Sequence, residues 1–289
     1  MTVAVRILFL KNEGGTVMFK SICLSFMCLA LVSVSAAENL IRQEGGWKGA
    51  DVDAELSKTE GTRVLRISKP KAWIFLGEKM AVDPAKTYTV SMELRSADAA
   101  ALSRMNYIGL VQQDSRSRSL VRDFVYAVPG AAVAKVAADA AKGAKEIILE
   151  GTVDLSRQGG KGICLAFNAK EDFSDLPNRD LSGKVLKTAV VNGNTVFTLA
   201  QPLRHDVKAG TAARCHYYSA GFTYGVLMGG LTADWKKFTC RITGVADKGT
   251  ADYNKFWPGV KTFQLLFVVN NVAGVASEVL VKNISVTAE

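Results

Sequence analysis

Apolar and polar residues alternate along much of the chain, in short segments separated by turn residues. A period of two places successive side chains on opposite faces of a β-strand. The pattern is clear over residues 279–286, where one slip at Lys282-Asn283 predicts a β-bulge. The predicted strands are rich in β-branched and aromatic residues. They cover residues 62–68, 87–96, 107–113, 221–227, 235–244, 262–270 and 278–287.

This pattern predicts an all-β fold, because evenly spaced strands with few helix signals are typical of sandwiches and jelly rolls. The one helical candidate, residues 131–142, is rich in alanine but has glycine-containing flanks. It can equally be interpreted as a loop. We therefore expect a jelly-roll β-sandwich as the fold class.

The middle of the chain differs in pattern from its flanks. Within residues 128–216, Asn192-Gly193-Asn194 predicts a hairpin turn between two apolar runs, and a second turn follows near residue 210. We interpret this stretch as a small β-rich module inserted into the sandwich, since insertions occur at exposed loop tips. The sandwich would then consist of residues 38–127 and 217–289.

The start of the chain has the pattern of a secretory signal at residues 18–37. A short basic start at Met18-Phe19-Lys20 precedes an apolar run over residues 22–34, and Ser35-Ala36-Ala37 supplies small residues for cleavage. The run is shorter than the roughly 20 residues that a membrane-spanning helix needs. Residues 1–17 fit no signal and are interpreted as a translated leader from a misassigned start codon, as in a bacterial gene. The signal predicts a secreted, periplasmic or envelope-associated protein.

Charge and cysteine content narrow the function classes. The net charge is +9, but no block of five like charges occurs, which argues against nucleic-acid binding. A basic surface favours acidic partners such as uronate or sulfated glycans. Three cysteines follow the signal, namely Cys164, Cys215 and Cys240. Because three is an odd number, at least one thiol is free or pairs between chains. Export would permit one disulfide, Cys215–Cys240 or Cys164–Cys215, and the sequence does not choose between them.

Several segments resemble secreted carbohydrate-binding modules with a galactose-binding-like jelly roll. The similar segments are Asn39-Leu40 with Gly45-Gly46-Trp47, the strand over residues 88–95, Trp235-Lys236-Lys237-Phe238-Thr239, and the closing strand over 279–286. The resemblance implies a jelly roll that binds glycans. It also implies a structural calcium beside the last strand, although Lys282-Asn283 stands where such modules often carry an acid. The inserted module resembles small β modules of bacterial surface and phage-tail-like proteins, which implies a shape only.

Sugar binding needs flat apolar faces for C–H surfaces and planar polar groups for hydroxyls. The aromatic candidates are Trp257, Trp73, Tyr107, Tyr126 and Tyr224. The polar candidates on the strands are Arg95, Asn106, Gln112 and Asn270. Each aromatic residue has the alternative of packing in the core. Trp257 precedes Pro258-Gly259, and a tryptophan on such a turn is expected to be exposed.

An acidic loop at residues 171–180 is the candidate metal site, because hard cations such as calcium take several oxygen ligands. Its oxygen donors are Asp172, Asp175, Asn178 and Asp180. The spacing does not match a regular calcium-binding loop, so a solvated loop with turn hydrogen bonds is the alternative. No other cofactor is indicated.

The sequence gives little support for catalysis. The chain has two histidines and no nucleophile elbow. Paired carboxylates, as in glycosidases, would need a partner for Glu93 that the sequence does not identify. We therefore expect a secreted, non-catalytic protein that binds a polysaccharide or surface glycan. The alternatives are a structural or adhesive envelope protein with the same sandwich and, third, a polysaccharide lyase or hydrolase.

Overall fold

The computed structural model is built almost entirely from β-strands in its described part, which comprises residues 38–41, 47–48, 54–59, 62–67, 71–98, 105–272 and 277–289. The predicted leader and signal peptide lie outside these ranges. Within them, no helix is long and apolar enough to cross a membrane. Two single-turn 3₁₀ helices occur, η1 at Arg122–Phe124 and η2 at Ser156–Gln158.

The strands follow the predicted segments closely, which confirms the all-β prediction. In chain order they are β1 (Trp47–Lys48), β2 (Ala54–Thr59), β3 (Thr62–Ile67), β4 (Ala72–Leu76), β5 (Met80–Ala81), β6 (Thr87–Ser96), β7 (Asn106–Gln113), β8 (Ala134–Lys135), β9 (Glu146–Leu149), β10 (Ile163–Phe167), β11 (Leu181–Val191), β12 (Asn194–Leu199), β13 (Ala212–Tyr217), β14 (Thr223–Gly229), β15 (Lys236–Thr243), β16 (Thr262–Val269) and β17 (Val279–Ala288).

Two antiparallel sheets form a sandwich. Sheet I has the order β1-β4-β16-β7-β14, with β5 paired to β16, and sheet II has the order β15-β6-β17-β3-β2. The alternating residues of β6 show why the sheets pack: Tyr88, Val90, Met92 and Leu94 are buried, while the residues between them are partly exposed. Side chains from the inner faces of both sheets form one apolar core, as in other β-sandwiches.

The predicted bulge in the closing strand is confirmed. The pairing of β17 with β6 shifts register between Lys282 and Ser285, and Asn283 adopts a left-handed conformation with φ of 51°. The Asn283 amide donates a hydrogen bond of 2.8 Å to the Glu93 carboxylate, which fixes the bulge against β6.

A third sheet, sheet III, contains only strands from the middle of the chain. Its order is β8-β13-β10-β11-β12-β9, and the backbone hydrogen bond from Glu150 N to Lys135 O joins its two ends into a small barrel. A separate apolar core fills this barrel. The predicted hairpin turn joins β11 to β12, with positive φ at both Asn192 and Gly193, as in a type I′ turn. That residues 128–216 are an insertion into the sandwich stays a prediction.

The three cysteines of the described residues are all unpaired and buried. Neither disulfide that the sequence left open is present. Cys164 and Cys215 lie in the barrel, and burial raises the pKa of both thiols, that of Cys215 to about 12. Cys240 lies on β15. At neutral pH these thiols are protonated and act as small apolar core residues.

Candidate functional site

The outer face of sheet I carries an unusual concentration of aromatic side chains. Strand β4 turns Ala72, Ile74 and Leu76 into the core, so Trp73 and Phe75 point to the opposite side. The neighbouring strands continue this face, because Val268 pairs with both Trp73 and Tyr107. Sheet pairing therefore aligns these rings on one surface.

Phe222 and Tyr224, where the chain enters β14, complete this surface. We call it the aromatic face and define it as Trp73, Phe75, Tyr107, Phe222 and Tyr224. The Phe222 ring meets the Trp73 ring edge-on, with centroids 6.3 Å apart. The Tyr107 and Tyr224 rings are tilted, with centroids 5.3 Å apart. The Trp73 side chain is 42% exposed, while the other four rings are partly buried around it.

A bulge in β14 places Tyr224 on this face. The pairing of β14 with β7 shifts register between Thr223 and Leu227, and the bulged backbone passes directly over Gly109. A Cβ atom on Gly109 would lie 1.9 Å from the Thr223 carbonyl oxygen, so only glycine fits there. Burial raises the pKa of Tyr224, and the nearby phenols of Tyr107 and Tyr253 add to the rise.

Of the predicted ligand residues, Trp73, Tyr107 and Tyr224 come together on the aromatic face. Sequence reasoning missed Phe75 and Phe222. The alternation of Trp73 and Phe75 within the five-residue β4 would have indicated Phe75. Phe222 is two residues from Tyr224 in the predicted strand over residues 221–227, so the same alternation would have indicated it, although the observed β14 begins one residue later.

Tyr126 and Arg95 lie apart from the aromatic face. The Tyr126 ring contacts the Tyr217 ring of β13 at a tilt of 48°, with centroids 4.5 Å apart, at the contact between sandwich and barrel. Arg95 lies on β6 of sheet II, with its guanidinium 5.1 Å from the Trp235 ring. These two residues therefore belong to other surfaces than the one predicted.

Asn106 and Gln112 point inward and hold the backbone together. The Asn106 amide donates to the Gly229 carbonyl and accepts from the backbone N–H of Asn270. The Gln112 amide donates to the Thr223 hydroxyl and accepts from the backbone N–H of Trp257. Asn106, Gln112 and Asn270 are all buried. The expectation that these amides contact a ligand is therefore corrected, because their polar groups are used inside the fold.

Trp257 is fully buried, so the expectation of an exposed ring is wrong. Its indole N–H donates a hydrogen bond of 3.0 Å to the Asp252 carbonyl, which anchors the ring in the sandwich core. The turn that follows is covered by the 171–180 loop, since a Cβ atom on Gly259 would lie 2.6 Å from the Pro177 side chain. The tryptophan is on a turn, as predicted, but another loop covers it.

The oxygen donors of the acidic loop take part in hydrogen bonds within the protein, and calcium binding there stays a prediction. The Asp172 carboxylate accepts from the backbone N–H of Ser174. One oxygen of Asp180 accepts from Asn168, and the other lies 2.7 Å from His205 Nε2. Asn178 donates its amide to the Phe167 carbonyl and to Asp175. Most of these donors thus bond to residues outside the loop, and in the described ranges no three acidic, histidine or cysteine side chains converge as metal ligands.

Asp175 instead belongs to a buried network that the sequence did not reveal. Its carboxylate accepts from Arg214 Nη2 at 2.8 Å, and Arg214 Nε donates to His216 Nε2 at 3.1 Å. Because His216 Nε2 accepts, its Nδ1 carries the proton and donates to the Asp123 carbonyl at 2.7 Å. Burial lowers the pKa of His216 to about 4, so the imidazole is neutral at neutral pH.

Comparison with known proteins adds a distant structural likeness. No family model and no curated protein matches the sequence. Among solved structures, the chain is similar to a CBM4 structure, with 11% identity, 84% of this chain and 78% of that chain covered, and a TM-score of 0.30. It is also similar to the CBM22-1 xylan-binding domain from Paenibacillus barcinonensis Xyn10C, with 8% identity, 89% and 97% covered, and a TM-score of 0.35. Values this low carry no argument about ligand or site.

Proposed function

We propose that this chain is an exported, non-catalytic protein that binds a polysaccharide or surface glycan on the aromatic face. The observation that carries the proposal is the exposed indole of Trp73, set among four further rings on the solvent side of sheet I. Exposed apolar patches with polar rims often mark ligand-binding surfaces. Export rests on the sequence of residues 18–37 alone.

The geometry suits the C–H face of a pyranose ring. Trp73 offers the widest flat surface, and its edge-on contact with Phe222 restricts its rotation. Sheet I holds Tyr107 and Tyr224 beside it, each with a phenol that can exchange hydrogen bonds with sugar hydroxyls. Met228 pairs with Tyr107 and is 58% exposed, which extends the apolar surface along the sheet. A row of such contacts follows an extended chain better than it encloses a single sugar.

Replacing Trp73 with alanine is expected to weaken glycan binding by more than about tenfold, because a central aromatic anchor commonly contributes about 2 kcal/mol or more. Folding should be little affected, since the side chain is 42% exposed. Isothermal titration calorimetry with a polysaccharide selected on an array measures the affinity, and thermal unfolding measures the stability.

The matched control is Leu186→Ala, which removes an exposed apolar side chain from sheet III, far along the chain from the aromatic face. We expect this variant to bind as the unmodified protein does. Equal binding by Trp73→Ala and the unmodified protein would remove the aromatic face as the glycan site.

A second candidate function, adhesion or envelope assembly, is favoured by the hairpin of sheet III. Among the described residues, β11 pairs beyond Val185 with β12 alone, so no described strand covers its other edge from residue 186 to 191. Leu186, Val190 and Val191 on this segment are at least half exposed. Open, apolar strand edges readily pair with another chain.

If the hairpin mediates self-association, light scattering should show oligomers that grow with protein concentration and disappear in Val190→Lys. A charge on the open edge opposes strand pairing. The matched control is Thr188→Lys on the same strand, which adds the same charge to an already polar position; a larger effect there than at Val190 would count against apolar pairing. A monomer at all concentrations would leave glycan binding as the supported function.

A further inference from the structure

A pocket of about 430 Å³ lies beside the aromatic face, between the sandwich and the segment that leads to the barrel. Its floor is formed by Gly225 of β14 and Cys240 of β15, which are packed so closely that a Cβ atom on Gly225 would lie 2.7 Å from the Cys240 sulfur. Its walls include Arg122, Tyr126 and Tyr253. The pocket is therefore lined by the Arg122 guanidinium and the rings of Tyr126 and Tyr253, next to the closely packed Gly225 and Cys240.

Arg122 lies between the two tyrosines. Its guanidinium carbon is 4.5 Å from the centre of the Tyr126 ring and 5.8 Å from that of Tyr253. Tyr126 in turn contacts the tilted ring of Tyr217 of the barrel, which keeps this wall in place. Aromatic stacking holds a guanidinium plane while leaving its N–H groups, which lie in that plane, available as donors.

No carboxylate of the described residues forms an ion pair with Arg122, and its buried Nε has no hydrogen-bond partner there. Some other arginines of the fold are paired with acids. Arg66 contacts Glu278, Arg118 and Arg179 contact Asp114, and Arg214 contacts Asp175. Arg122 thus lines the pocket without an ion-pair partner among the described residues, which favours a ligand that brings a carboxylate of its own.

The rim of the pocket can accept the rest of a sugar. Tyr253 is 37% exposed and offers a ring face, and Asp252 and Asn254 on either side line the same pocket. The Asp252 carbonyl accepts the indole N–H of buried Trp257, so the rim is tied to the core. Carboxylate and amide oxygens accept hydrogen bonds from sugar hydroxyls.

We propose that this pocket binds a uronate residue of an acidic glycan. The ligand carboxylate pairs with Arg122, the pyranose face lies against Tyr253, and the hydroxyls reach Asp252 and Asn254. The volume is sufficient for a sugar residue and insufficient for a long chain, so the pocket would select one acidic unit while the aromatic face follows the polymer. The inference rests on the proposed glycan-binding function but assigns a second site and a ligand class to it.

The test is a titration of the full chain with trigalacturonate and with the neutral trigalactose, followed by calorimetry. We expect trigalacturonate to bind and trigalactose to bind at least about tenfold more weakly, because a charged, two-point hydrogen bond to guanidinium is among the strongest polar contacts. Arg122→Gln should abolish this preference. Arg122→Lys, which keeps the charge and loses the planar fork, should reduce the affinity for trigalacturonate by a smaller factor.

Arg241→Gln is the matched control, since Arg241 is an exposed arginine on β15 and its loss changes the net charge equally. It should leave the preference unchanged. Thermal unfolding verifies that each variant is folded. If Arg122→Gln does not fold, the affinity of Arg122→Lys for trigalacturonate decides whether the proposal holds. Equal affinity for the two trimers, or an equal loss in the Arg122 and Arg241 variants, would overturn the proposal.

Discussion

Replacing Trp257 with alanine should lower the free energy of unfolding by about 3–5 kcal/mol, the range typical of fully buried aromatic side chains. The ring is 0% exposed, and the substitution removes its packing and the hydrogen bond from its indole nitrogen to the Asp252 carbonyl. Urea denaturation followed by circular dichroism measures the change. The expected loss is a large fraction of the free energy of unfolding of an ordinary domain, which is about 5–15 kcal/mol.

Trp73→Ala is the control for this substitution, because it removes the same side chain from an exposed position. It should change the free energy of unfolding by less than about 1 kcal/mol. If Trp257→Ala instead left stability intact and abolished glycan binding, the placement of this ring in the core would be contradicted.

Replacing Asp175 with alanine is expected to cost about 3–5 kcal/mol of stability, because it leaves the Arg214 charge buried without a partner. The Arg214 side chain is 1% exposed and the Asp175 side chain 7%. Burial alone would raise the pKa of Asp175, but hydrogen bonds from Asn178 and Lys170, together with the charge of Arg214, hold it below its ordinary value. The carboxylate is thus ionised when it pairs with the arginine.

Asp172→Ala, in the same loop, is the matched control, because the Asp172 carboxylate is exposed and bonds only within its own turn. Its loss should cost less than about 1 kcal/mol. The double variant Asp175→Leu, Arg214→Met should recover much of the stability, since apolar pairs of similar volume often replace buried ion pairs without loss. Equal effects of the two single aspartate substitutions would show that the Arg214 network does not stabilise the fold.

Strand positions were predictable from the sequence, because each strand buries one face and so carries its own alternation. Strand β6 spans the predicted residues 87–96 without change, and the bulge at Lys282-Asn283 appears where the alternation slips. The hairpin at Asn192-Gly193 followed from turn chemistry, which is also local.

The site was only partly predictable, because exposure depends on contacts between distant parts of the chain. The sequence favoured exposure of Trp257, yet Trp73 lies on the outside of sheet I and Trp257 lies under the loop that contains Pro177. Gln112 looked like a ligand residue, but its amide binds the backbone of Trp257. Whether a polar side chain on a strand faces solvent or a buried partner is decided by the packing of the sheets.

The most direct test of the central claim is to measure binding of the purified protein and of Trp73→Ala on one array of plant, algal and bacterial polysaccharides. Glycan binding on the aromatic face predicts selective retention of the unmodified protein and loss of that signal in the variant, with both proteins equally folded. Absence of binding to the whole array, or retention of the same signal by Trp73→Ala, would contradict the claim.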